Sequence, residues 1–511
     1  MIHHITLTGR SIALACDGTV TTQHGAGGAT GAVYVEASHL TLLHDMRDGE
    51  FYRTGQNSWS PSGWRRLSEA PMRIADEQRR RTADDDPWDD TVRHHSAWMA
   101  VLEDSAGALL VGCLDGRTPR VRADTAVLEA FTESGDPARW VILPGPATAV
   151  MARYARELGE SLGSRAIEPQ SVWCSWYSYY EGISQEALER EIPQVAELGF
   201  STLQIDDGWE VAVGDWEAGE SFGDGMEAAA TRIREAGMQP GLWVAPFIAL
   251  PGSRAVRDYP EMFVHNADGG LAVAGSNWGG SYYALDTTHP TAQTYVRKLI
   301  AKIVHRWGFS YLKLDFINAA AIPGYRHRQI DREEAYCTGL RLVRDTAGDE
   351  TFLLGSGALI MPSIGLLDAV RVGPDVAPMW ENYASDDLSD AKAYNALHAG
   401  INRLWLGRVI GVDPDVVFFR HRRNLLDDTQ MQWLRDVALT PGGNAMAYLG
   451  YPAWANEVIA YGYQFGFLML TPVAPILLWL WFDKRFVAAL WLEAALDEEA
   501  PARPEHAPRV R

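Results

Sequence analysis

The sequence is poor in cysteine. Its 511 residues include only Cys16, Cys113, Cys174 and Cys337, and no two of these have the Cys-x-x-Cys spacing. Neither a disulfide framework nor a zinc site is therefore indicated. Four reduced thiols are consistent with a cytoplasmic protein, and the cytoplasm is the predicted location.

Positive charge is scarce as well. Lysine and arginine total 45 residues against 66 aspartates and glutamates, so the formal net charge is −21 at pH 7. A surface of this sign repels phosphate groups, which excludes nucleic acids and anionic membranes as expected partners. The charge places no such restriction on a neutral ligand such as a sugar.

Long uninterrupted apolar runs are also missing. Residues 1–10 lack the apolar core of a signal peptide. The most apolar stretch, 467–492, is broken by Pro472, Pro475 and the charged run 483–485. A membrane span needs about 20 apolar residues. A membrane partner is therefore not expected, and the role of this stretch is left open.

Apolar runs of strand length dominate residues 1–165. They are short, as at 97–102 and 108–113, and Gly, Asp, Ser and Pro separate them. This spacing predicts an N-terminal antiparallel β-sandwich domain. The charged, breaker-rich stretch 78–90 predicts a mobile loop within it.

The pattern changes over residues 166–450, where strand-like runs alternate with amphipathic helices such as 185–198 and 290–307. The expected strands are 172–176, 202–206, 241–246, 282–286, 311–316, 351–356, 369–373 and 403–409. Eight strands alternating with helices predict an α/β fold, a (β/α)8 TIM barrel. A helix at 427–439 should end this domain. Residues 451–511 form an atypical C-terminal segment with a disordered tail.

The active site of a (β/α)8 barrel lies at the C-terminal ends of its strands. Lys313 and Asp315 share one face of an otherwise apolar strand, which fits either a buried ion pair or a ligand site. The polar and aromatic residues expected at the strand ends are Trp176, Asp206, Asp207, Trp243, Lys313, Asp315, Ser356, Arg371 and Asp375. Paired carboxylates among aromatic side chains are typical of glycoside hydrolysis.

Other chemistries fit less well. There is no His-x-His or His-Glu-x-x-His motif, and no histidine falls at a predicted strand end, so no metal is predicted. For acid–base work two carboxyl groups must differ in pKa. Lys313 should keep Asp315 ionised, and the apolar neighbours of Asp375 should keep it protonated longer. Arg371 would oppose the second effect if it touches Asp375.

Four motifs, taken in order, resemble glycoside hydrolase family 36, the retaining α-galactosidases or melibiases. The N-terminal β domain and Asn57-Ser-Trp-Ser-Pro61 also fit that family. The four motifs are Trp173-Cys-Ser-Trp-Tyr177, Gln204-Ile-Asp-Asp-Gly-Trp209, Tyr311-Leu-Lys-Leu-Asp-Phe316 and Arg371-Val-Gly-Pro-Asp-Val-Ala-Pro-Met-Trp380. The resemblance covers about residues 170–450.

The resemblance implies an exo-α-galactosidase (EC 3.2.1.22) that removes terminal α-linked galactose from oligosaccharides of the melibiose and raffinose type. It implies Asp315 as the nucleophile and Asp375 as the acid/base. Asp206 and Asp207 would bind the galactose 4- and 6-hydroxyls, and Lys313 and Arg371 the ring hydroxyls near the nucleophile. Trp59, Trp176 and Trp243 would shape the pocket. No metal or organic cofactor is implied, and the partner is a small-molecule α-galactoside.

Two departures from the family pattern stand out. Ser356 occupies a position where the family often has cysteine, which affects the expected contact near the sugar 2-position. The family usually ends in an antiparallel β domain, and residues 461–511 do not resemble one. A galactosyl transferase of the raffinose-synthase kind and a non-catalytic galactoside-binding protein remain the alternatives. Whether the protein forms a homo-oligomer is also open.

Overall fold

The computed structural model describes residues 2–7, 10–24, 30–82, 90–115, 118–166, 170–382, 384–418, 424–438 and 490–492. Within these ranges the chain first forms two antiparallel sheets and then a curled parallel sheet. Most of the expected C-terminal segment, 451–511, lies outside the described residues.

The N-terminal part consists of thirteen strands in two sheets. They are β1 (Ile2–Leu7), β2 (Arg10–Cys16), β3 (Thr19–His24), β4 (Thr30–Ala37), β5 (His39–Leu43), β6 (Glu50–Arg53), β7 (Gly63–Arg66), β8 (His94–Ala97), β9 (Met99–Asp104), β10 (Gly107–Cys113), β11 (Pro119–Ala123), β12 (Val127–Thr132) and β13 (Ala138–Gly145). One sheet has the order β1-β2-β5-β12-β11-β8 and the other β3-β4-β13-β10-β9-β6-β7. The predicted antiparallel domain is thus confirmed.

Burial follows the position of a strand in these sheets. In β12, inward residues alternate with half-buried ones, as expected where one face meets the core. In β10 six successive residues are buried because a helix covers its second face. The Tyr154 hydroxyl of that helix donates to the Cys113 carbonyl at 2.7 Å. A Cβ at Gly112 would lie 2.3 Å from the Tyr154 ring, so glycine permits this close packing.

Ten α-helices lie within the described ranges. They are α1 (Glu77–Thr82), α2 (Ala147–Leu162), α3 (Trp176–Tyr179), α4 (Gln185–Glu197), α5 (Met226–Glu235), α6 (Arg254–Asp258), α7 (Pro290–Ala301), α8 (Arg332–Ala347), α9 (Ala393–Arg403) and α10 (Asp428–Ala438). Short 3-10 turns lie at Tyr180–Gly182, Pro260–Met262, Ile317–Ala321, Met361–Ser363 and Leu404–Arg408. A π turn lies at Lys302–Trp307.

Three sequence expectations about helices can be compared directly. The helix expected at 185–198 is present as α4, and Ser184 caps it by accepting from the Ala187 amide. The helix expected at 290–307 is present as α7 and the π turn that follows it. The stretch 78–90 is not all loop, because α1 occupies its first residues and Asp76 caps that helix through the Arg79 amide. Residues 83–89 lie outside the described residues.

The remaining strands build the framework of the site. They are β14 (Ser171–Cys174), β15 (Thr202–Ile205), β16 (Glu210–Ala212), β17 (Asp215–Ala218), β18 (Gln239–Val244), β19 (Ile248–Ala249), β20 (Val273–Asn277), β21 (Gly280–Ala284), β22 (Tyr311–Leu314), β23 (Phe352–Gly355), β24 (Ala369–Arg371), β25 (Gly411–Asp413), β26 (Val416–Val417) and β27 (Leu490–Leu492). Nine of them form one parallel sheet, in the order β25-β24-β23-β22-β18-β15-β14-β27-β26. β27 pairs with β14 and with β26.

This arrangement confirms the expected barrel only in part. The parallel sheet curls, and β25 and β26 are separated by only Pro414 and Asp415. Among the strands that the structure describes, β25 and β26 are the two edges of this sheet, so a closed (β/α)8 barrel is not confirmed. The strands still order their C-terminal ends along one edge, which is the property that positions the site.

Two of the eight expected barrel strands are wrong. Residues 282–286 fall largely in β21, which pairs antiparallel with β19 and β20, because Trp278 and Gly279 have positive φ and turn the chain into a hairpin. Residues 403–409 form the end of α9 and a 3-10 turn, and the strand begins at Gly411. As a consequence β22 is the fourth parallel strand, not the fifth, and β24 is the sixth.

One further result concerns the membrane question. Among the residues that the structure describes, no helix combines the length and the apolar character that crossing a bilayer requires. Residues 467–482 lie outside the described residues.

Candidate active site

Lys313 links two carboxylates at the edge of the parallel sheet. Its Nζ donates to Asp206 Oδ2 at 2.8 Å and lies 3.9 Å from Asp315 Oδ2. All three side chains are nearly buried. Burial alone would lower the pKa of Lys313, but the charges of Asp206 and Asp315 outweigh it and raise the pKa above its usual value. The lysine therefore stays charged, with Asp206 as its nearer partner.

Asp315 is oriented by two N–H donors. Trp243 Nε1 donates to its Oδ2 at 3.0 Å, and the Phe316 amide donates to its Oδ1 at 2.8 Å. Phe316 itself has a φ of 52°, a left-handed conformation that is uncommon for an aromatic residue. Backbone strain of this kind tends to occur at functional sites. The two donors and the turn at Phe316 fix the carboxylate at the end of β22.

Asp206 is held from several directions. Its Oδ2 accepts from Cys174 Sγ at 3.2 Å and from Gln204 Nε2 at 2.5 Å, in addition to Lys313. The Ser175 hydroxyl accepts from the Asp206 amide at 2.8 Å. These partners come from β14 and β15, so the first two strands and β22 converge on one carboxylate.

Asp207 faces a different set of groups. Trp278 Nε1 donates to its Oδ2 at 2.8 Å. Burial and the neighbouring Glu210 raise the pKa of Asp207 well above its usual value, and burial also raises the pKa of Glu210. Because two close carboxyl groups resist ionising together, this pair holds a proton that a single buried aspartate would lose.

Arg371 contacts three carboxylates at the end of β24. Its guanidinium reaches Asp375 Oδ1 at 3.1 Å, Asp413 Oδ2 at 3.0 Å and Asp415 Oδ1 at 2.9 Å. Arg371, Asp413 and Asp415 are at most 2% exposed, whereas the Asp375 side chain is 46% exposed. Asp375 is thus the most exposed member of this group.

The environment of Asp375 favours its protonated form. Burial of the surrounding cluster and the charge of Asp415 raise the pKa of Asp375 to about 6, although Arg371 and Lys313 act in the opposite direction. The expectation that Arg371 would oppose the shift agrees with this. Solvent on the open side of Asp375 limits the shift, and a ligand that covers this side would strengthen it.

Trp59 reaches the site from the N-terminal domain. Its ring centroid lies 5.5 Å from that of Phe316. A Cβ on Gly357, which has a φ of 61°, would lie only 2.6 Å from the Trp59 ring. Glycine at 357 therefore serves both the left-handed turn and the close approach of the indole. Ser356, just before it, is buried, and its amide donates to the Leu314 carbonyl at 2.7 Å.

Arg403 fastens the loop that carries Trp59. This fully buried side chain, at the end of α9, donates to several backbone carbonyls at 2.6–3.1 Å. The acceptors are the carbonyls of Thr54, Asn57, Ser58, Ser60 and Val372. One guanidinium thereby ties the Trp59 loop to the chain that follows β24.

Aromatic rings line the side of the site near Asp315. Trp243 lies with its centroid 6.3 Å from that of Trp278, and Trp278 lies 5.2 Å from Phe316. Trp176 packs edge-on against Tyr180 at 5.3 Å. Edge-to-face geometry is the favourable arrangement of aromatic pairs. Rings held in this way can pack on the C–H faces of a sugar.

The contacts join the sequence-predicted residues into connected groups. One contains Asp206, Lys313, Asp315 and Trp243, and another contains Arg371 and Asp375. Trp59 reaches the first group through Phe316, and Asp207 does so through Trp278. Ser356 and Trp176 follow β23 and β14, at the same edge of the parallel sheet. Their roles toward a sugar, like those of the other residues, stay predictions.

Sequence reasoning missed four residues of this site. Trp278 lies in a hairpin turn, Asn277-Trp278-Gly279-Gly280, and a tryptophan in a polar turn, like Trp59 in Asn57-Ser-Trp-Ser-Pro61, is a signal that could have found it. The strand expected at 403–409 ends before Asp413 and Asp415, so the sequence pattern does not place them at a strand end. Arg403 binds carbonyls and has no spacing that reveals it. Within the described part of the chain, no group of three His, Cys, Asp or Glu residues could hold a metal ion.

Two family models match the sequence. One, described as melibiase, matches residues 167–345. The other, described as an exosortase H-associated membrane protein, matches residues 429–486, and all of these after 438 lie outside the described residues.

The chain resembles solved structures over nearly its whole length. The α-galactosidase TtGalA from Thermus thermophilus, in complex with p-nitrophenyl α-D-galactopyranoside, is 33% identical, with a TM-score of 0.78 over 91% of this chain and 95% of that one. The same protein in complex with stachyose is 34% identical over 90% of this chain and 99% of that one, also with a TM-score of 0.78. The family 36 α-galactosidase AgaA from Geobacillus stearothermophilus has a TM-score of 0.55 at 14% identity, over 88% of this chain and 68% of that one, which shows the fold alone.

The curated α-galactosidase AgaA from Geobacillus stearothermophilus aligns over a shorter stretch, with 25% identity over 185 residues. This alignment covers 34% of the present chain and 24% of AgaA. The chain thus spans about a quarter of the length of this curated relative.

Proposed function

The chain belongs to the melibiases, the α-galactosidases of glycoside hydrolase family 36, and we propose that it hydrolyses terminal α-linked galactosides with retention of anomeric configuration. The observation that carries this proposal is the contrast between two carboxyl groups. Asp315 is oriented by two N–H donors beside a charged lysine, and Asp375 is a half-exposed carboxyl whose pKa is raised to about 6.

The first step forms a bond between Asp315 and the anomeric carbon of galactose. As that bond forms, the glycosidic C–O bond breaks and Asp375 donates its proton to the departing oxygen. In the second step Asp375, now ionised, takes a proton from water, and the water oxygen displaces Asp315 from the anomeric carbon. A carboxyl with a pKa near 6 can give and take a proton at neutral pH.

Substrate binding follows from the groups around Asp315. We assign the 4- and 6-hydroxyls of galactose to Asp206 and Asp207, and a ring hydroxyl beside the nucleophile to Lys313. Arg371 lies 3.1 Å from Asp375, so a hydroxyl that it binds would sit beside the acid/base. Trp59, Trp176 and Trp243 enclose the ring, and Ser356 faces the 2-position in place of the usual cysteine.

The substrates proposed are galacto-oligosaccharides of the raffinose type. TtGalA, which shares about a third of its sequence with this chain, has been crystallised with stachyose and with an aryl α-galactoside. A neutral sugar also suits an acidic protein with a carboxylate-lined site. The cytoplasm is the proposed location because the four cysteines are scattered and none has the Cys-x-x-Cys spacing.

Azide rescue of two variants tests the assignment. Asp315→Ala should lose turnover of an aryl α-galactoside and, with azide, produce β-galactosyl azide, because azide then enters from the face that Asp315 occupied. Asp375→Ala should instead produce α-galactosyl azide from the covalent intermediate. Undiminished activity of Asp315→Ala, or the same anomer from both variants, would contradict the mechanism. Transfer of galactose to an acceptor sugar, with no hydrolysis, would favour the transferase.

A further inference from the structure

Asp415 is a buried carboxylate in the two-residue link between β25 and β26. It is 1% exposed and has a φ of 76°, which is strained for a residue other than glycine. Its amide donates to Asp413 Oδ1 at 2.9 Å. A strained, charged residue persists in a core only where its surroundings compensate for the cost. The partners of the Asp415 carboxylate therefore indicate what this residue does.

Two partners of the Asp415 carboxylate also connect it to Asp375. The Tyr177 hydroxyl donates to Asp415 Oδ2 at 2.6 Å, and the backbone amide of Val376 donates to the same oxygen at 2.9 Å. Arg371 reaches Asp415 Oδ1 at 2.9 Å and Asp375 Oδ1 at 3.1 Å. Asp415 thus holds Asp375 twice, once through the next residue in the chain and once through a shared arginine.

We propose that Asp415 is a positioning residue that fixes the carboxyl of Asp375 in the orientation for proton transfer. The role rests on the proposed function, in which Asp375 is the acid/base. Tyr177 contributes from the chain after β14, so the first and last parallel strands of the sheet meet at this point. Ala377, with a φ of 52°, completes the bent segment that Asp415 fastens.

The charges around Asp375 give the proposal a measurable consequence, which is the pKa of Asp375. Arg371 and Lys313 face it as cations, and Asp415 and Asp315 face it as anions. Asp413 lies behind Arg371, and Tyr177 is a neutral phenol because burial raises its pKa. Asp415→Asn keeps an oxygen for Tyr177 and Val376 but removes one negative charge. Without it, the pKa of Asp375 falls, and Asp375 loses its proton at a lower pH.

The experiment is the pH profile of kcat/KM for Asp415→Asn and Tyr177→Phe, measured on aryl α-galactosides with good and poor leaving groups. Asp415→Asn should move the alkaline limb down by about one pH unit, a typical effect of one nearby charge. Tyr177→Phe keeps the charge, so its alkaline limb should not move down. It should lose about tenfold on poor leaving groups and little on good ones, because only poor ones need protonation.

Equal losses on both substrates, with the limb unmoved in Asp415→Asn, would overturn the proposal and leave Asp415 as a structural group. If Asp415→Asn does not fold, the leaving-group pattern of Tyr177→Phe decides alone. The variant Asp375→Ala distinguishes failure of the acid/base role of Asp375 from failure of the positioning role of Asp415. If it loses both substrates equally, the proposed acid/base role fails. If it loses only the poor leaving group while the other variants behave like the unmodified chain, the inference about Asp415 alone fails.

Discussion

Replacing Arg403 by methionine tests how the N-terminal domain shapes the site. The buried guanidinium donates to four carbonyls of the segment around Trp59 and to the Val372 carbonyl. Methionine fills a similar volume but donates nothing. Five carbonyls would lose a charged donor inside the protein. The chain should therefore become less stable, and Trp59 should leave its position over Gly357.

The expected size follows from the hydrogen bonds. A bond to a charged group contributes about 1.5–3 kcal/mol, and contributions from one side chain are not additive. We expect a loss of about 4 kcal/mol or more in the free energy of unfolding, which places this substitution among the largest single effects. Because Trp59 is proposed to line the pocket and not to react, KM should rise about tenfold while kcat changes less.

Thermal unfolding and steady-state kinetics on an aryl α-galactoside measure both effects. The matched control is Arg156→Met, which removes an exposed arginine from α2 and should change neither quantity. Arg403→Lys should behave like Arg403→Met, because an ammonium cannot span acceptors that a planar guanidinium reaches. An Arg403→Met protein with unchanged unfolding temperature and KM would refute the anchoring role.

Two further predictions concern single contacts. Trp243→Phe keeps an aromatic ring but removes the donor to Asp315 Oδ2, so kcat/KM should fall by about 10- to 100-fold, as for a charged hydrogen bond; an unchanged value in steady-state kinetics would mean that this donor is dispensable. Burial raises the pKa of Glu333, which contacts Gln56, Trp98 and Thr118, to about 7. Its folded pKa lies above the unfolded value, so stability falls as the pH rises from about 4.5 to about 7. Glu333→Gln should therefore raise the unfolding temperature more at pH 8 than at pH 5, and equal changes at both would contradict this.

The period-two pattern around Lys313 and Asp315 was enough to place both charges on one face of a strand. The contacts confirm the buried ion pair, because Lys313 Nζ lies 2.8 Å from Asp206 and 3.9 Å from Asp315, whereas the ligand site on that face stays a proposal. The N-terminal antiparallel domain could likewise be predicted from short apolar runs. Both are local patterns, which a single sequence expresses directly.

Pairing between distant strands is not a local pattern. Residues 282–286 have the composition of a barrel strand, yet the turn at Trp278 pairs them within a hairpin. The strand expected at 403–409 begins only at Gly411. Asp413 and Asp415 therefore do not stand out as strand-end residues in the sequence. Arg403 could not be found at all, because its acceptors are carbonyls, which every residue has.

Covalent trapping tests the central claim most directly. A 5-fluoro-α-galactosyl fluoride should inactivate the protein with time and add one fluorogalactosyl group, and mass spectrometry of the digested protein should locate that group on Asp315. Asp315→Ala should take up none. A label on another residue, or hydrolysis of the reagent without any labelled intermediate, would contradict Asp315 as the nucleophile.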